Sequence, residues 1–328
     1  MENFINNAPF ALVLVCLVIG FVLLIKGADF FVEGSSSAAK RLHVPSIIIG
    51  LTIVAMGTSL PETAVSVVAA IQHKNTLAIS NVVGSNIFNM MVVIGFCAIM
   101  TPVAVQKSTL KRDFPYSVFA ALLLLVLGGV GMKLGRFDSA VFLVFFAIFI
   151  GTMIRMALKA GKEGGHLQSE EIEAAEAQKV MSMPKSLLFL VVGVAGIVIG
   201  GDVVVDSASN IALKIGMSQT LVGLTIVSIG TSLPELVTSV VAARKNEVDM
   251  ALGNAIGSNI FNILFVLGLA GVISPMPFLM ENIIDIMILI VLSLLIWGFA
   301  WTKEKISRKE GIVMLVLYVV YVIYICMR

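Results

Sequence analysis

Charged side chains are scarce in this chain. Only 13% of its 328 residues are Asp, Glu, Lys or Arg, whereas 59% are hydrophobic, and the mean hydropathy is +1.04. A soluble domain of this size needs far more polar surface to face water. The composition therefore excludes a soluble globular domain and predicts a polytopic membrane protein.

Cysteine and histidine are also rare, with three of each. Cys16, Cys97 and Cys326 lie far apart in apolar segments without a Cys-x-x-Cys pair, which excludes a disulfide framework and a sulfur-ligated metal site. The histidines stand at segment ends or in a linker, so we expect no zinc centre. The net charge of +2 identifies no class of partner, and we expect neither a cofactor nor a nucleic-acid partner.

Ten apolar segments are long enough to cross a lipid bilayer, which takes about 20 helical residues. They are approximately residues 9–30, 46–71, 77–100, 115–132, 138–158, 185–206, 219–243, 250–273, 280–301 and 310–327. With the N-terminus outside, 17 of the 22 Lys and Arg residues face the cytoplasm, and the exceptions are Lys74, Lys133, Arg136, Lys214 and Arg328. This asymmetry satisfies the positive-inside rule and predicts that both termini lie outside. We expect the protein in the plasma membrane.

The two halves of the chain repeat each other with an offset of 173 residues. An ungapped alignment of residues 50–89 with 223–262 has 24 identities in 40 positions, which indicates internal duplication. Each half has five spans, an odd number, so the second copy enters the membrane from the opposite side. We therefore predict an all-α integral membrane protein of two inverted five-helix repeats, residues 1–158 and 185–328, joined by a cytoplasmic linker at 159–184.

One six-residue motif occupies equivalent places in both halves. Gly-Thr-Ser-Leu-Pro-Glu stands at 57–62 and again at 230–235. Gly57 permits the backbone to break, and Pro61 has no amide hydrogen to lose in the first turn of a new helix. The motif predicts a discontinuous helix near the membrane midplane, where freed carbonyl groups need protein or a bound cation as partners.

Oxygen-bearing side chains cluster on these segments. Thr58, Ser59, Glu62 and Ser66 are repeated as Thr231, Ser232, Glu235 and Ser239, and a second polar stripe, Asn81, Ser85 and Asn89, is repeated as Asn254, Ser258 and Asn262. All are hard oxygen donors, which suit calcium or sodium, and two carboxylates balance one divalent ion. We predict a cation site to which both halves contribute.

A structural interpretation of the motif competes with cation binding. Ser59 and Glu62 fit a capping box, in which the two side chains satisfy free amides at a helix start. An ionised Glu at mid-membrane costs on the order of 2.5 kcal/mol or more, although Ser59 alone could supply a cap. We therefore favour cation binding, with which capping is compatible.

Further acidic residues lie nearer the ends of the segments. Asp29 and Glu33, with their counterparts Asp202 and Asp206, fit cation entrances and solvated helix ends equally well, and Glu281 and Asp285 are expected at the membrane interface.

The duplicated motif, together with Gly84-Ser-Asn-Ile-Phe-Asn89 and its copy at 257–262, resembles the alpha repeats of the sodium/calcium exchanger family within the calcium/cation antiporters. The resemblance covers the whole chain and implies a minimal prokaryotic-type member that exchanges one calcium ion for several sodium ions by alternating access. It implies that calcium is bound by Glu62 and Glu235 with the carbonyls of Thr58 and Thr231. It implies sodium sites completed by Ser59, Ser232, Ser85 and Ser258 and flanked by the carbonyls of Ala55 and Ser228. The centre of the site would be lined by Asn89 and Asn262.

The resemblance also bears on the coupling ion. Relatives that include the potassium-dependent branch have Asp where this chain has Asn262, which argues against potassium co-transport. Proton-coupled relatives usually carry an acidic residue in the motif that contains Ser85 or Ser258, and this chain lacks one there. Sodium is favoured, and proton or potassium coupling is the alternative.

Two other functions compete with exchange. A cation channel would use the same oxygens as a selectivity filter, but two inverted copies favour alternation. An intramembrane hydrolase would use Ser59 with Glu62, but no His or Lys base lies near them in the sequence. We therefore expect a transporter and not an enzyme.

Overall fold

The computed structural model describes residues 9–72, 75–164, 180–217 and 228–327, and these are mainly helical. The helices are α1 (Phe10–Arg41), α2 (Ser46–Thr58), α3 (Leu60–Ile71), α4 (Asn75–Phe88 continued by Asn89–Val93 and Ile94–Met100), α5 (Thr109–Met132), α6 (Arg136–Gly164), α7 (Met183–Lys214), α8 (Ser228–Thr231), α9 (Leu233–Arg244), α10 (Val248–Ile273), α11 (Met280–Lys303) and α12 (Arg308–Met327). The strands are β1 (Val103–Ala104), β2 (Lys133–Leu134), β3 (Met276–Pro277) and β4 (Lys305–Ile306).

Most of the predicted spans are present. Within the described ranges, eight helices are long and apolar enough to cross a membrane, and the bent pair α2–α3 makes nine. The helical membrane class is thus confirmed. The predicted seventh span, 219–243, begins outside the described residues, which include its later part as α8 and α9, so the count of ten stays a prediction. Most of the linker at 159–184 also lies outside them.

Helices α1 and α7 are longer than predicted. Their segments were expected to end at residues 30 and 206, but the helices continue to Arg41 and Lys214. The hydropathy of the sequence falls after residue 30, where small side chains such as Ser35 and Ala38 follow. These side chains are nevertheless buried. Tertiary packing of this kind stabilises a helix more than its composition does. Both helices have 32 residues and differ by the repeat offset, so their bounds are equivalent in the two halves.

Glycines allow α1 and α7 to pack with their backbones in contact. A Cβ added to Gly27 would lie 2.6 Å from the backbone nitrogen of Ile197, and one added to Gly200 would lie 2.4 Å from that of Leu24. Only a residue without a side chain fits such an approach. Gly27 and Gly200 are equivalent in the repeat, so the contact is reciprocal.

Helices α4 and α10 form the centre of the molecule. In the most apolar 18-residue stretch of each helix, 83% of the residues of α4 and 78% of those of α10 are buried. The same fraction is 22% in α1 and 17% in α6 and α12. The central pair carries the second polar stripe of each half, whereas the peripheral helices expose apolar faces suited to lipid. The site predicted from the sequence therefore lies on the most enclosed helices.

Two short strand pairs connect the halves, and the sequence analysis missed them. β1 pairs with β4 and β2 with β3, both antiparallel. The amide of Val105 donates to the Glu304 carbonyl over 2.8 Å, and the equivalent amide of Phe278 donates to the Met132 carbonyl over 3.0 Å. Each half thus gives its first strand to the other half's second strand, a reciprocity expected of a two-fold relation. Two-residue strands have no periodic pattern that could indicate them.

The close contact between α1 and α7 is tested by Gly27→Ala. The added methyl group would force the two backbones apart, and overpacking of this kind costs about 1–3 kcal/mol. We expect a lower unfolding midpoint in detergent. Gly298→Ala is the matched control, because a Cβ there meets no atom within 4 Å in the described part of the chain. Equal effects of the two substitutions would show that α1 and α7 do not pack in this way.

Candidate cation site

Both motifs interrupt a helix, as predicted. Helices α2 and α3 meet at Ser59 with a bend of 49°, and Ser59 has φ −84° and ψ 15°. The second break is at Ser232, between α8 and α9, with φ −94° and ψ 5°. Pro61 and Pro234 stand in the first turn of the new helices, where their missing amide hydrogens cost no helical bond.

The prediction that Gly57 is where the backbone breaks was wrong. Gly57 lies within helical α2, before the break. A Cβ on it would lie 2.8 Å from Cζ of Phe31 in α1, and one on Gly230 would lie 2.3 Å from Cγ2 of Val205 in α7. The glycines make room for α1 and α7 to cross the broken helices, and the serines that follow carry the change in backbone direction.

The two carboxylates are fully buried and are bound crosswise. The Ser59 hydroxyl donates to Oε1 of Glu235 over 2.7 Å, and the Ser232 hydroxyl donates to Oε1 of Glu62 over 3.1 Å. Each carboxylate thus receives a hydrogen bond from the other half of the chain. The capping interpretation is wrong for both serines, because their hydroxyls reach the opposite motif and not the start of their own helix.

The second oxygen of each carboxylate is left over. Among the described residues, Oε2 of Glu62 and Oε2 of Glu235 have no hydrogen-bond partner, and the buried hydroxyls of Ser66 and Ser85 have none either. Buried, unpaired carboxylate oxygens are costly, and a positive charge is the partner that removes most of that cost. The arrangement therefore favours a bound cation.

Asn254 connects the two motifs, a role that the sequence analysis did not assign. Its Nδ2 donates to Oγ of Ser239 over 2.8 Å and to the Glu235 carbonyl over 3.3 Å, and the Thr58 hydroxyl lies 3.1 Å from its Oδ1. One turn later, the Ser258 hydroxyl lies 3.5 Å from Oε1 of Glu235. The first member of the polar stripe thus belongs to the site together with the later ones.

Asn89 and Asn262 each begin a π-helical turn, Asn89–Val93 and Asn262–Leu267. Both side chains are fully buried. Within the described part of the chain, neither amide atom of Asn89 has a hydrogen-bond partner, and Oδ1 of Asn262 has none. Turns of this type often occur at functional sites. A search for 3.6-residue periodicity could not find them, because a π-turn adds a residue to the helical repeat.

The remaining predicted ligands also lie at the breaks. Thr58 and Thr231 are buried. The Ala55 carbonyl accepts the Ser59 amide over 3.1 Å, and the Thr58 hydroxyl lies 3.3 Å from the same oxygen. Ser228 begins α8, and its side chain lies outside the described atoms.

The outlying acidic residues differ in surroundings. Asp29 and Glu33 approach Lys245 at 3.4 and 3.8 Å, so they are ion-paired and not simply solvated. Asp202 is exposed. Asp285 is buried one turn inside α11, whereas Glu281 in the first turn is exposed, and the interfacial position expected for both stays a prediction.

A multi-pass helical membrane protein with a buried site of two carboxylates and neutral oxygens, shared by two similar halves, is of the cation-transporter class. The chain belongs to the sodium/calcium exchanger family, whose model, described as sodium/calcium exchanger protein, matches residues 12–155 and 185–327. Members of this family are secondary transporters and not enzymes, so the predicted family and class are confirmed.

Named relatives agree over nearly the whole chain. The putative antiporter CaxA of Alkalimonas amylolytica is 40% identical over 318 residues, 92% of this chain and 95% of that protein. The sodium/calcium exchanger MaX1 of Methanosarcina acetivorans is 34% identical over 340 residues, 92% of this chain and 95% of that protein. The sodium-calcium exchanger NCX_Mj, soaked with 10 mM Na+ and zero Ca2+, superposes with a TM-score of 0.81 at 33% identity, covering 95% of this chain and 98% of its own.

The crossed serine bonds are tested by Ser59→Ala and Ser232→Ala. Each change takes the hydrogen-bond donor from a buried carboxylate, a loss of about 1.5–3 kcal/mol for a bond to a charged group. We expect a lower unfolding midpoint in detergent with chelator. Ser35→Ala is the control, because that buried hydroxyl has no partner among the described residues. If Ser35→Ala destabilises as much, the crossed bonds are not what the serines contribute.

Proposed function

We propose that this protein is an antiporter that exchanges calcium for sodium at the site shared by Glu62 and Glu235. The observation that carries the proposal is the pair of fully buried carboxylates, each bound by a serine from the other half and each with one oxygen free of partners in the described part of the chain. One calcium ion or two sodium ions would neutralise the pair. The two ions therefore compete for the same oxygens, and competition is the basis of exchange.

The proposed ligands follow from the chemistry of the groups at the two breaks. Calcium takes 6–8 oxygens in flexible geometry, which both carboxylates and the carbonyls of Thr58 and Thr231 would begin to supply. The serine hydroxyls suit sodium, because a hydroxyl has one hydrogen and two lone pairs. Ser59 can keep donating to Glu235 while its oxygen binds an ion. The set is completed by Ser232, Ser85, Ser258, Asn89 and Asn262 and by the carbonyls of Ala55 and Ser228.

We also propose the ten-span inverted repeat, with halves at 1–158 and 185–328, a cytoplasmic linker at 159–184, both termini outside and a plasma-membrane location. Contacts between loops support this topology. In the ten-span count, an even number of spans separates β1 from β4 and β2 from β3, so paired strands lie on one side of the membrane. The same holds for Ser46, whose hydroxyl donates to Glu247 over 3.0 Å.

Alternating access would move α1 and α7 over the central helices. The pair crosses the breaks where Phe31 meets Gly57 and Val205 meets Gly230. At the predicted cytoplasmic end, α1 is held by partly exposed ion pairs to Lys245. Such pairs contribute up to about 1 kcal/mol each, so they can break during transport. An empty site, with two unpaired carboxylates, would be costly to move across the membrane barrier. The site therefore changes sides only with calcium or sodium bound, and this couples the movement of one ion to that of the other.

Calcium uptake into sodium-loaded vesicles tests the site directly. Glu62→Gln and Glu235→Gln each remove one of the two negative charges and should reduce sodium-dependent uptake to the level of vesicles without protein. Glu281→Gln removes a charge from an exposed residue of α11 and should leave uptake unchanged. If either site variant retains uptake, the assignment of the carboxylates is wrong.

The coupling ion is tested by imposing sodium, potassium and pH gradients separately on vesicles that contain the wild-type protein. A sodium gradient alone should drive calcium movement, because no acidic side chain stands at Asn262 or beside Ser85 and Ser258 to serve potassium or protons. Calcium movement driven only by a potassium or pH gradient would contradict sodium coupling. Currents far above carrier turnover would instead indicate a channel.

A further inference from the structure

The central helices α4 and α10 are joined by a reciprocal pair of side-chain hydrogen bonds. Nδ2 of Asn86 donates to the Asn259 carbonyl over 3.2 Å, and Nδ2 of Asn259 donates to the Asn86 carbonyl over 3.1 Å. Both side chains are buried. The two residues are equivalent in the repeat and lie in the Gly-Ser-Asn-Ile-Phe-Asn motifs, but nothing in the proposed ligand set uses them.

The orientation of the Asn86 amide is fixed by its partners. A carbonyl oxygen only accepts hydrogen bonds, so Asn86 has to turn its NH₂ group toward Asn259, and its Oδ1 is left to accept a bond elsewhere. Nδ2 of Asn262 lies 3.2 Å from that Oδ1 and donates to it. The Asn262 amide is therefore fixed as well, with its own oxygen as the remaining atom.

That remaining oxygen is free for a ligand. Oδ1 of Asn262 is buried and has no hydrogen-bond partner among the described residues. Asn262 stands one helical turn after Ser258, whose hydroxyl lies 3.5 Å from Oε1 of Glu235. A flipped amide would offer an NH₂ group, which repels a cation, so the bond that Asn262 donates to Asn86 decides whether Asn262 attracts or repels one.

The equivalent bond is not formed in the other half. Oδ1 of Asn259 and both amide atoms of Asn89 have no partner within the described part of the chain. The bond between Asn262 and Asn86 is therefore not an automatic result of the duplicated motif. One of the two central amides is fixed and the other can turn either atom inward.

We propose that Asn86 is a positioning residue that holds the Asn262 amide with its oxygen turned toward the transported cation. The inference rests on the proposed function, since it takes Asn262 as part of the ion site. Without Asn86, Asn262 can present either amide atom, and the orientations that present NH₂ weaken cation binding.

A double-mutant cycle tests the inference, using Asn86→Leu, Asn262→Ala and the double variant. The measured quantities are the dissociation constant of calcium and the sodium concentration that half-displaces it from purified protein. Asn86→Leu should raise at least one of them two- to tenfold, the effect of about one hydrogen bond. In the Asn262→Ala background it should add no further change, because the group it positions is gone. Equal shifts in both backgrounds, or no shift, would overturn the positioning role.

Asn259→Leu is the matched control. It removes the reciprocal bond between α4 and α10 but keeps Asn86 and the backbone carbonyl that orients it, so it should lower the unfolding midpoint while both ion affinities stay within twofold of wild type. If it shifts them as Asn86→Leu does, the pair is only structural. Asn86→Ala replaces Asn86→Leu if the latter does not fold. Wild-type protein that binds neither ion would contradict the proposed function. Ion binding in which the effects of Asn86→Leu and Asn262→Ala are additive would contradict only the positioning role of Asn86.

Discussion

Two carboxylates enclosed by membrane-spanning helices impose the constraint from which the rest of the structure follows. An ionised Glu in such a place needs hydrogen-bond donors and a compensating positive charge, since neither lipid nor bulk water supplies them. Glu62 and Glu235 receive one donor each from the opposite half, through Ser232 and Ser59. Ser258 of the same half also approaches Glu235, but at 3.5 Å, so the shortest bond to each carboxylate comes from the other half and the site requires both copies of the duplicated motif to meet.

Bringing two broken helices together limits what may surround them. Helices α1 and α7 cross the breaks in contact, and glycines are needed where backbones approach, as at Gly27 and Gly200. The central helices α4 and α10 are joined near the axis by Asn86 and Asn259. The molecule thus has a hydrogen-bonded centre, α4 and α10, with the closely packed pair α1 and α7 crossing over it.

The helical membrane fold and the two helix breaks could be predicted from the sequence, because they depend on residue types that can be recognised in the chain itself. A carboxylate beside Pro61 in an apolar run predicts a broken helix, which the structure has at Ser59, and the 173-residue offset predicts the second break, at Ser232. The hydrogen bond from Ser59 to Glu235 could not be predicted, because in the sequence Ser59 fits a cap of its own helix equally well. The role of Gly57 depended on Phe31, which lies on another helix. The strands and π-turns are too short for any periodicity to show.

The anomalous difference density of crystals grown with calcium tests most directly whether both carboxylates bind one ion. We expect one calcium ion per chain, within about 2.3–2.6 Å of carboxylate oxygens from both Glu62 and Glu235. The density should disappear when sodium replaces calcium. A calcium ion bound by only one of the two carboxylates, or bound elsewhere in the protein, would contradict a shared site.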